Sequence, residues 1–222
     1  MSLILNIDTS TEIAMVCLSE NGIVITDSVN TNQKDHASFL HVAILGLLQK
    51  QSLDLKELSA IAVTEGPGSY TGLRVGLSTA KGLCYALDKP LILISSLEVI
   101  ANDARNNYNE SKYLFCPMID ARRMEVFTGL YDHDLRILVK PSATILDKDF
   151  LSNYLQENRI VFSGNGSMKF QNILDNKNAI FFETNNLSSS ISQLSLVKFN
   201  SSIFSDLAHS DPQYLKDFVK FQ

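Results

Sequence analysis

The sequence predicts an α/β protein built from mixed β-sheets with helices packed on them. Strand-like segments alternate with long apolar helical segments through the first half of the chain, an order that places helices against a mixed sheet. Asn21-Gly22 lies between two apolar segments and is a strong hairpin signal, so two of the early strands are expected to be antiparallel. After residue 112 the chain starts again with strands, which indicates a second lobe.

The predicted elements follow one another with short connections. In chain order, the first half contains the strands LILNID, IAMVCLS and IVITDSV, the helix HASFLHVAILGLLQKQ, a helical connector at 53–58, the strand AIAVTEG, a helix at 71–87, the strand PLILISS and the helix LEVIANDAR. In the second half, YLFCPMID, EVFTGLYD, RIVFSG and AIFFET are predicted strands with helical stretches between them, and NNLSSSISQLS is either a loop or a poor helix N-terminus. The polar segment 102–112 lacks a clear period, so the lobes are expected at 1–105 and 106–222, with the final segment able to pack back on the first lobe.

The composition favours a protein with a large hydrophobic core outside the membrane. Hydrophobic residues make up 45% of the 222 residues and charged residues 19%. No apolar run reaches the roughly 20 residues that span a bilayer, and the N-terminus does not resemble a signal peptide, so a cytoplasmic location is expected. Cys17, Cys84 and Cys116 lie in apolar contexts and are expected to be buried thiols of a reducing compartment.

The charge balance argues against tight binding of nucleic acid by this chain alone, because its formal net charge is −5. The best local basic patch is DARR at 120–123, expected in a turn between two strands. One interpretation is a salt-bridged structural turn. The other is that an arginine faces the cleft between the lobes and meets the phosphate of a nucleotide or tRNA. The candidate cleft contacts are Asp120, Arg122 and Arg123.

The segment TEGPGSYTGLRVG at 64–76 is the most unusual local pattern, since five of the ten glycines lie between Gly66 and Gly82. Glycine after a strand and before a helix allows a tight turn, and Ser69 or Thr71 can cap the helix. A helix N-terminus also attracts anions, so a phosphate loop is the alternative. The local pattern is weak evidence for it, because neither GxxxxGK[ST] nor GxGxxG is present.

The two longest predicted helices of the first half each have a feature that indicates contact with a partner protein. Gly72, Gly76 and Ala80 recur every four residues and form a small-residue ridge on one helix face. The helix at 36–49 is apolar on nearly all sides, which is typical of a helix buried on two sides. The predicted partner surface comprises Ala37, Leu40, His41, Ile44, Leu48, Thr71, Gly72, Val75, Gly76, Thr79, Ala80 and Leu83.

These residues carry a resemblance to a known family. GPGSYTGLRVG, together with ILNIDTST, HASFLH, MIDARRMEVF and PQYLKDF in the same order, resembles the bacterial TsaB (YeaZ) family, and the match is weakest at 140–210. The resemblance implies a two-lobed fold of the actin, Hsp70 and sugar-kinase type. It also implies a non-catalytic scaffold that pairs with TsaD, assisted by TsaE, in adding the threonylcarbamoyl group to the adenosine beside the anticodon of tRNA. Without TsaD, a homodimer is expected.

The residues agree with a non-catalytic role. The nucleotide-binding members implied by the resemblance carry a D-x-G-T-like hairpin under the phosphates, whereas residues 8–11 here contain no glycine. TsaD, by the same resemblance, holds its metal with two histidines four apart on a helix. His36 and His41 are five apart and would point about 140° away from each other, so no metal site is expected.

Two alternative functions stay open. A glycoprotease-like peptidase would need HExxH or GxSxG, and neither is present. An ATP-dependent small-molecule kinase of the same fold would use SGNGS at 163–167, which is equally typical of a plain strand-to-helix turn. No cofactor is firmly expected, although ATP or ADP could lodge at the TsaD interface. The candidate anion loop comprises Asp8, Thr9, Ser10, Gly66, Gly68, Ser69, Tyr70 and Arg74.

Overall fold

The computed structural model describes residues 2–32 and 36–216, which divide into two compact units. The first unit takes the described residues up to Ser96 together with Asn186–Gln213, and the second takes Leu97–Asn185 and the described residues from Tyr214. The chain therefore enters the second unit at 96–97, earlier than the predicted boundary at 105–106. The reason is the helix after residue 96, in which Ile100 lies against Gly164 and Asp103 accepts a hydrogen bond from the Asn185 N–H at 2.9 Å.

The regular elements have the following bounds. In the first part of the chain they are β1 (Leu3–Asp8), β2 (Ala14–Glu20), β3 (Ile23–Asn30), α1 (His36–Gln51), a 3₁₀ turn (Leu55–Glu57), β4 (Ala60–Gly66), α2 (Tyr70–Leu87), β5 (Leu91–Ser95) and α3 (Ser96–Asn107). They continue with β6 (Tyr113–Asp120), β7 (Glu125–Tyr131), β8 (Ile137–Ile145), α4 (Ser152–Glu157), β9 (Arg159–Ser163), α5 (Ser167–Gln171), β10 (Ala179–Phe182) and α6 (Leu187–Asn200).

The sheet of the first unit has the strand order β3-β2-β1-β4-β5. β1, β2 and β3 are joined antiparallel, while β4 runs parallel to β1 and to β5. Asn21 and Gly22 join β2 to β3 with φ angles of 50° and 79°, which is the left-handed backbone that this dipeptide accepts easily. The hairpin predicted from Asn21-Gly22 is therefore confirmed.

Helices cover both faces of the first sheet. Leu5 and Ile7 of β1 lie in one hydrophobic cluster with residues of α1 and α2. Asn6, between them, points to the opposite face, where its side-chain amide donates to Ser192 of α6 at 3.4 Å. The serine-rich span is therefore a helix rather than a loop, and Asn186 caps it by accepting a hydrogen bond from the Ser189 N–H.

The second sheet repeats the topology of the first, with the order β10-β9-β6-β7-β8. β6, β7 and β8 are antiparallel, and β9 runs parallel to β6 and to β10. Each unit is thus three antiparallel strands followed by two parallel ones. In each unit a glycine with a positive φ angle lies at the end of the corresponding parallel strand: Gly66 (φ 118°) ends β4, and Gly164 (φ 90°) directly follows β9.

The segment Ile137–Ile145 forms the strand β8, although only helical stretches were predicted between Tyr131 and Arg159. It is an edge strand that contains Pro141 and alternates exposed and half-buried residues, so its hydrophobic pattern is weak. None of the described helices is long and apolar enough to cross a membrane.

Candidate functional site

The glycine-rich segment is a tight turn that packs α2 against the loop after β1. The Ser69 N–H donates to the Ser10 carbonyl at 2.6 Å, and a Cβ atom at Gly68 would lie 2.1 Å from that same oxygen. Ser69 caps α2 by accepting a hydrogen bond from the Gly72 N–H at 3.3 Å. Glycine is required here because the two backbones touch.

The small-residue ridge of α2 faces its own sheet, so the prediction that it binds a partner is wrong. Gly72, Gly76 and Ala80 are buried within the first unit. A Cβ atom at Gly72 would lie 2.0 Å from the carbonyl oxygen of Thr9, and one at Gly76 would lie 2.3 Å from the Thr9 hydroxyl. Close packing does explain the glycines, as expected, but the neighbour is the β1–β2 loop of the same chain.

Three of the predicted partner contacts on α1 are also wrong, because Leu40, Ile44 and Leu48 are almost fully buried in the core of the first unit. Ala37 and His41 are exposed. On α2, Thr71 is exposed, whereas Val75, Thr79 and Leu83 are half-buried. The wrong face of α1 was predicted to contact a partner because this helix is apolar on nearly all of its sides.

The exposed sides of α1 and α2 form what we call the outer α1–α2 surface, because the two helices touch each other and pack on the same face of the sheet. Its apolar side chains are conspicuously exposed: Val42 by 72%, Leu45 by 54% and Tyr85 by 83%. Two mid-helix glycines lie among them, and a Cβ atom at Gly46 or Gly82 would meet nothing within 4 Å. The surface consists of Ala37, His41, Val42, Leu45, Gly46, Thr71, Ser78, Gly82, Tyr85 and Ala86.

The residues of the predicted anion loop are engaged mainly with one another. Asp8 is buried, and one oxygen of its carboxylate accepts hydrogen bonds from the Ser10 N–H at 2.9 Å, the Ser10 hydroxyl at 2.7 Å and the Thr64 hydroxyl at 2.9 Å. The Thr9 hydroxyl donates to the Gly72 carbonyl at 2.7 Å. The guanidinium carbon of Arg74 lies 4.0 Å from the ring centroid of Tyr70, and Ser69, Gly66 and Gly68 form the turn described above. These hydrogen bonds hold the loop after β1 against the start of α2 and against β4.

The turn between β6 and β7, residues 121–124, carries the two predicted cleft arginines, and we call it the arginine turn. Arg122 and Arg123 have φ angles of 71° and 50°, a left-handed conformation that costs a residue with a side chain roughly 1–2 kcal/mol. The Asp120 carboxylate accepts a hydrogen bond from the Arg122 N–H at 2.6 Å and forms an ion pair with Lys169 at 2.7 Å. Asp120 is thus part of a salt-bridged turn, while both arginine side chains are exposed.

The three cysteines are buried, and the two histidines of α1 lie in different environments. Burial raises the pKa of Cys17, Cys84 and Cys116 to about 12, which keeps each of them a neutral thiol near neutral pH. His36 is buried with its Nε2 3.1 Å from the Thr11 carbonyl, whereas His41 on the same helix is exposed. Among the described residues, no three His, Cys, Asp or Glu side chains are grouped so that they could hold a metal ion.

The chain is similar in sequence to proteins of tRNA modification. Residues 24–218 match the family model described as TsaD, tRNA N6-adenosine threonylcarbamoyltransferase. The tRNA threonylcarbamoyladenosine biosynthesis protein TsaB of Bacillus subtilis (strain 168) is 33% identical over 175 residues, which are 78% of this chain and 75% of that protein. This chain belongs to the TsaB family.

Solved structures place the TsaB fold in a wider class. YeaZ from Pseudomonas aeruginosa has a TM-score of 0.80 at 22% identity, covering 97% of this chain and 100% of that one. The inorganic polyphosphate/ATP-glucomannokinase from Arthrobacter sp. strain KM has a TM-score of 0.50 at 10% identity, covering 89% of this chain and 99% of that one. Identities this low concern the fold alone, and they confirm the predicted two-lobed α/β fold of the actin, Hsp70 and sugar-kinase type.

Proposed function

We propose that this chain is a non-catalytic subunit in the biosynthesis of threonylcarbamoyladenosine in tRNA, and that it pairs with a TsaD-type transferase through the outer α1–α2 surface. Membership of the TsaB family supports the pathway. The match of residues 24–218 to the TsaD family model supports the pairing, because two related chains with one fold can present similar helix pairs to each other.

The exposed glycines of the outer α1–α2 surface carry the proposal. A glycine inside a helix costs about 0.5–1 kcal/mol relative to alanine. At Gly46 and Gly82 the described part of the chain gives no packing reason for that cost, since nothing lies within 4 Å of the missing Cβ atoms. Small residues beside exposed Val42, Leu45 and Tyr85 are what close packing against another helix pair requires.

A shallow groove continues the apolar character of this surface past the C-terminal end of α1. Leu45, Leu53, Leu55 and Leu87 line it together with polar residues of the 3₁₀ turn and of α1. A partner that covers the exposed helix faces would also cover this groove, so the buried apolar area would extend beyond the two helices.

The absence of catalysis by this chain alone is supported by the state of its reactive groups. The three cysteines are buried thiols with a pKa of about 12, and Asp8 is held by hydrogen bonds from its own loop. Neither a peptidase nor a kinase gains support from a described residue. TsaE, tRNA and any ATP or ADP would then bind to the complex with the transferase, and this chain by itself would form a homodimer.

Leucine substitutions at the exposed glycines test the surface. Gly82→Leu adds bulk where the partner packs, and overpacking of about 1–3 kcal/mol would weaken association about 5- to 150-fold. The variant should stay folded, with a small gain in stability from helix preference, because the side chain points to solvent in the free chain. Asn200→Leu is the matched control, since it adds the same side chain to an exposed position of α6 on the opposite face of the sheet. Sedimentation with the transferase, and of the chain alone, measures association. Equal affinities of all three proteins would contradict the proposal.

A further inference from the structure

The arginine turn is held in a conformation that its own sequence disfavours. Arg122 and Arg123 are consecutive residues with left-handed φ angles of 71° and 50°. Glycine or asparagine adopts this backbone more readily than arginine does. The turn would therefore form more easily with other residues, and local folding does not explain the choice of arginine.

Neither guanidinium group stabilises the described part of the chain. Both side chains are exposed, and neither forms an ion pair with a described residue. The two acidic residues that flank the turn have other partners: Asp120 accepts the Arg122 N–H and pairs with the Lys169 ammonium at 2.7 Å, and Glu125 pairs with Lys216. The positive charges of the two arginines are therefore left uncompensated within the turn.

The base of the turn is fixed, so these two charges project from a rigid support. The Asp120 N–H donates to the side-chain oxygen of Asn165 at 2.9 Å, and the Ala121 N–H donates to the Glu125 carbonyl at 3.0 Å. A Cβ atom at Gly166 would lie 3.1–3.2 Å from the backbone of Ile119 and Asp120, which shows how closely the glycine turn after β9 supports β6.

We propose that the arginine turn binds phosphate groups of the RNA backbone when this chain is part of the transferase complex. The inference rests on the proposed function. The planar guanidinium group matches phosphate geometry and can bind it through two hydrogen bonds. Because the chain carries a net charge of −5, two arginines cannot drive RNA binding alone. In a complex they position the RNA, as phosphate contacts usually do.

The salt dependence of RNA binding tests this role. The complex of this chain with its TsaD-type transferase is titrated with an unmodified tRNA transcript at several salt concentrations. Each phosphate contact contributes about 0.7–0.9 to the slope of log K against log salt, so the double variant R122N/R123N should lower the slope by about 1.4–1.8. R122K/R123K keeps the charges and should retain most of the slope. R136N/K140N removes two exposed charges from β8 and the turn before it, and should change the slope little.

Assembly and folding are measured on the same samples, so that a loss of RNA contacts can be distinguished from a loss of assembly or of folding. Asparagine tolerates the left-handed backbone, so the melting temperature of R122N/R123N should be equal to or higher than that of the natural chain. An assembled complex with an unchanged salt slope would overturn the inference and leave the proposed function intact. Loss of assembly in R122N/R123N alone would mean that the arginines contact an acidic protein surface, which also overturns it. Failure of the natural chain to assemble would refute the proposed function and this inference together.

Discussion

Alanine at Gly72 and alanine at Gly82 should have opposite effects on stability, although both lie in α2. At Gly72 the new Cβ atom would lie 2.0 Å from the Thr9 carbonyl oxygen, which is backbone and cannot rotate away. Overpacking of this kind costs about 1–3 kcal/mol. Displacing α2 would also weaken the hydrogen bond from the Thr9 hydroxyl to the Gly72 carbonyl, worth about 0.5–1.5 kcal/mol.

The intrinsic helix preference of alanine offsets only part of this loss, by about 0.5–1 kcal/mol. Gly72→Ala should therefore destabilise the first unit by roughly 2 kcal/mol, within a range of about 0.5–4. Gly82→Ala gains the helix preference of alanine without any clash, because nothing lies within 4 Å of the new Cβ atom. This variant should therefore stabilise the chain by about 0.5–1 kcal/mol. The two variants should thus differ by about 5–12 °C in melting temperature.

Thermal unfolding followed by circular dichroism measures this difference, at a concentration low enough to keep association from contributing. Equal melting temperatures for Gly72→Ala and the natural chain would refute the packing of α2 on the β1–β2 loop. A large loss of stability in Gly82→Ala would show that the exposed side of α2 is covered within the same chain. In that case the outer α1–α2 surface would not be available to a partner.

Two further predictions concern buried groups of the chain. The cysteines should resist alkylation in the native protein at pH 8 and react after unfolding, and rapid alkylation of the native protein would contradict their burial. Their pKa is about 12 in the folded protein and 9.0 in the unfolded chain. The stability that they contribute should therefore be complete below pH 9 and be lost as the pH rises toward 12. Asp8→Ala should lower the melting temperature, because the buried hydroxyls of Ser10 and Thr64 lose their acceptor at about 1–3 kcal/mol for each unsatisfied group, and an unchanged melting temperature would contradict the network.

Most of the fold could be predicted from local patterns, because its strands are buried and its turns carry strong signals. LILNID and AIAVTEG are almost wholly buried, so their continuous apolar runs identify them as central strands. β8 could not be found in this way, since an edge strand with Pro141 has little apolar alternation. The repetition of one topology in both units involves pairing between distant segments, which a single sequence does not display.

The predicted partner surface and the outer α1–α2 surface lie on the same two helices but on different faces, since Gly72, Gly76 and Ala80 are buried. Glycine and alanine at four-residue spacing indicate that something approaches the helix closely, and this holds for Gly72 and Gly76. The pattern does not say whether the neighbour is a partner or the chain's own loop. Gly46 and Gly82 were the useful signal, yet only the empty space around them distinguishes them from the buried glycines.

Transfer of the threonylcarbamoyl group to tRNA tests the central claim most directly. The assay compares this chain alone, the TsaD-type transferase alone, both together, and the transferase with Gly82→Leu, each with TsaE and the threonylcarbamoyl donor supplied. We expect no transfer by this chain alone, and more transfer when the natural chain joins the transferase than with the transferase alone. With Gly82→Leu, the rise should fall in proportion to the complex that remains in sedimentation. Transfer by this chain without the transferase, or full stimulation by a Gly82→Leu chain that no longer associates, would contradict it.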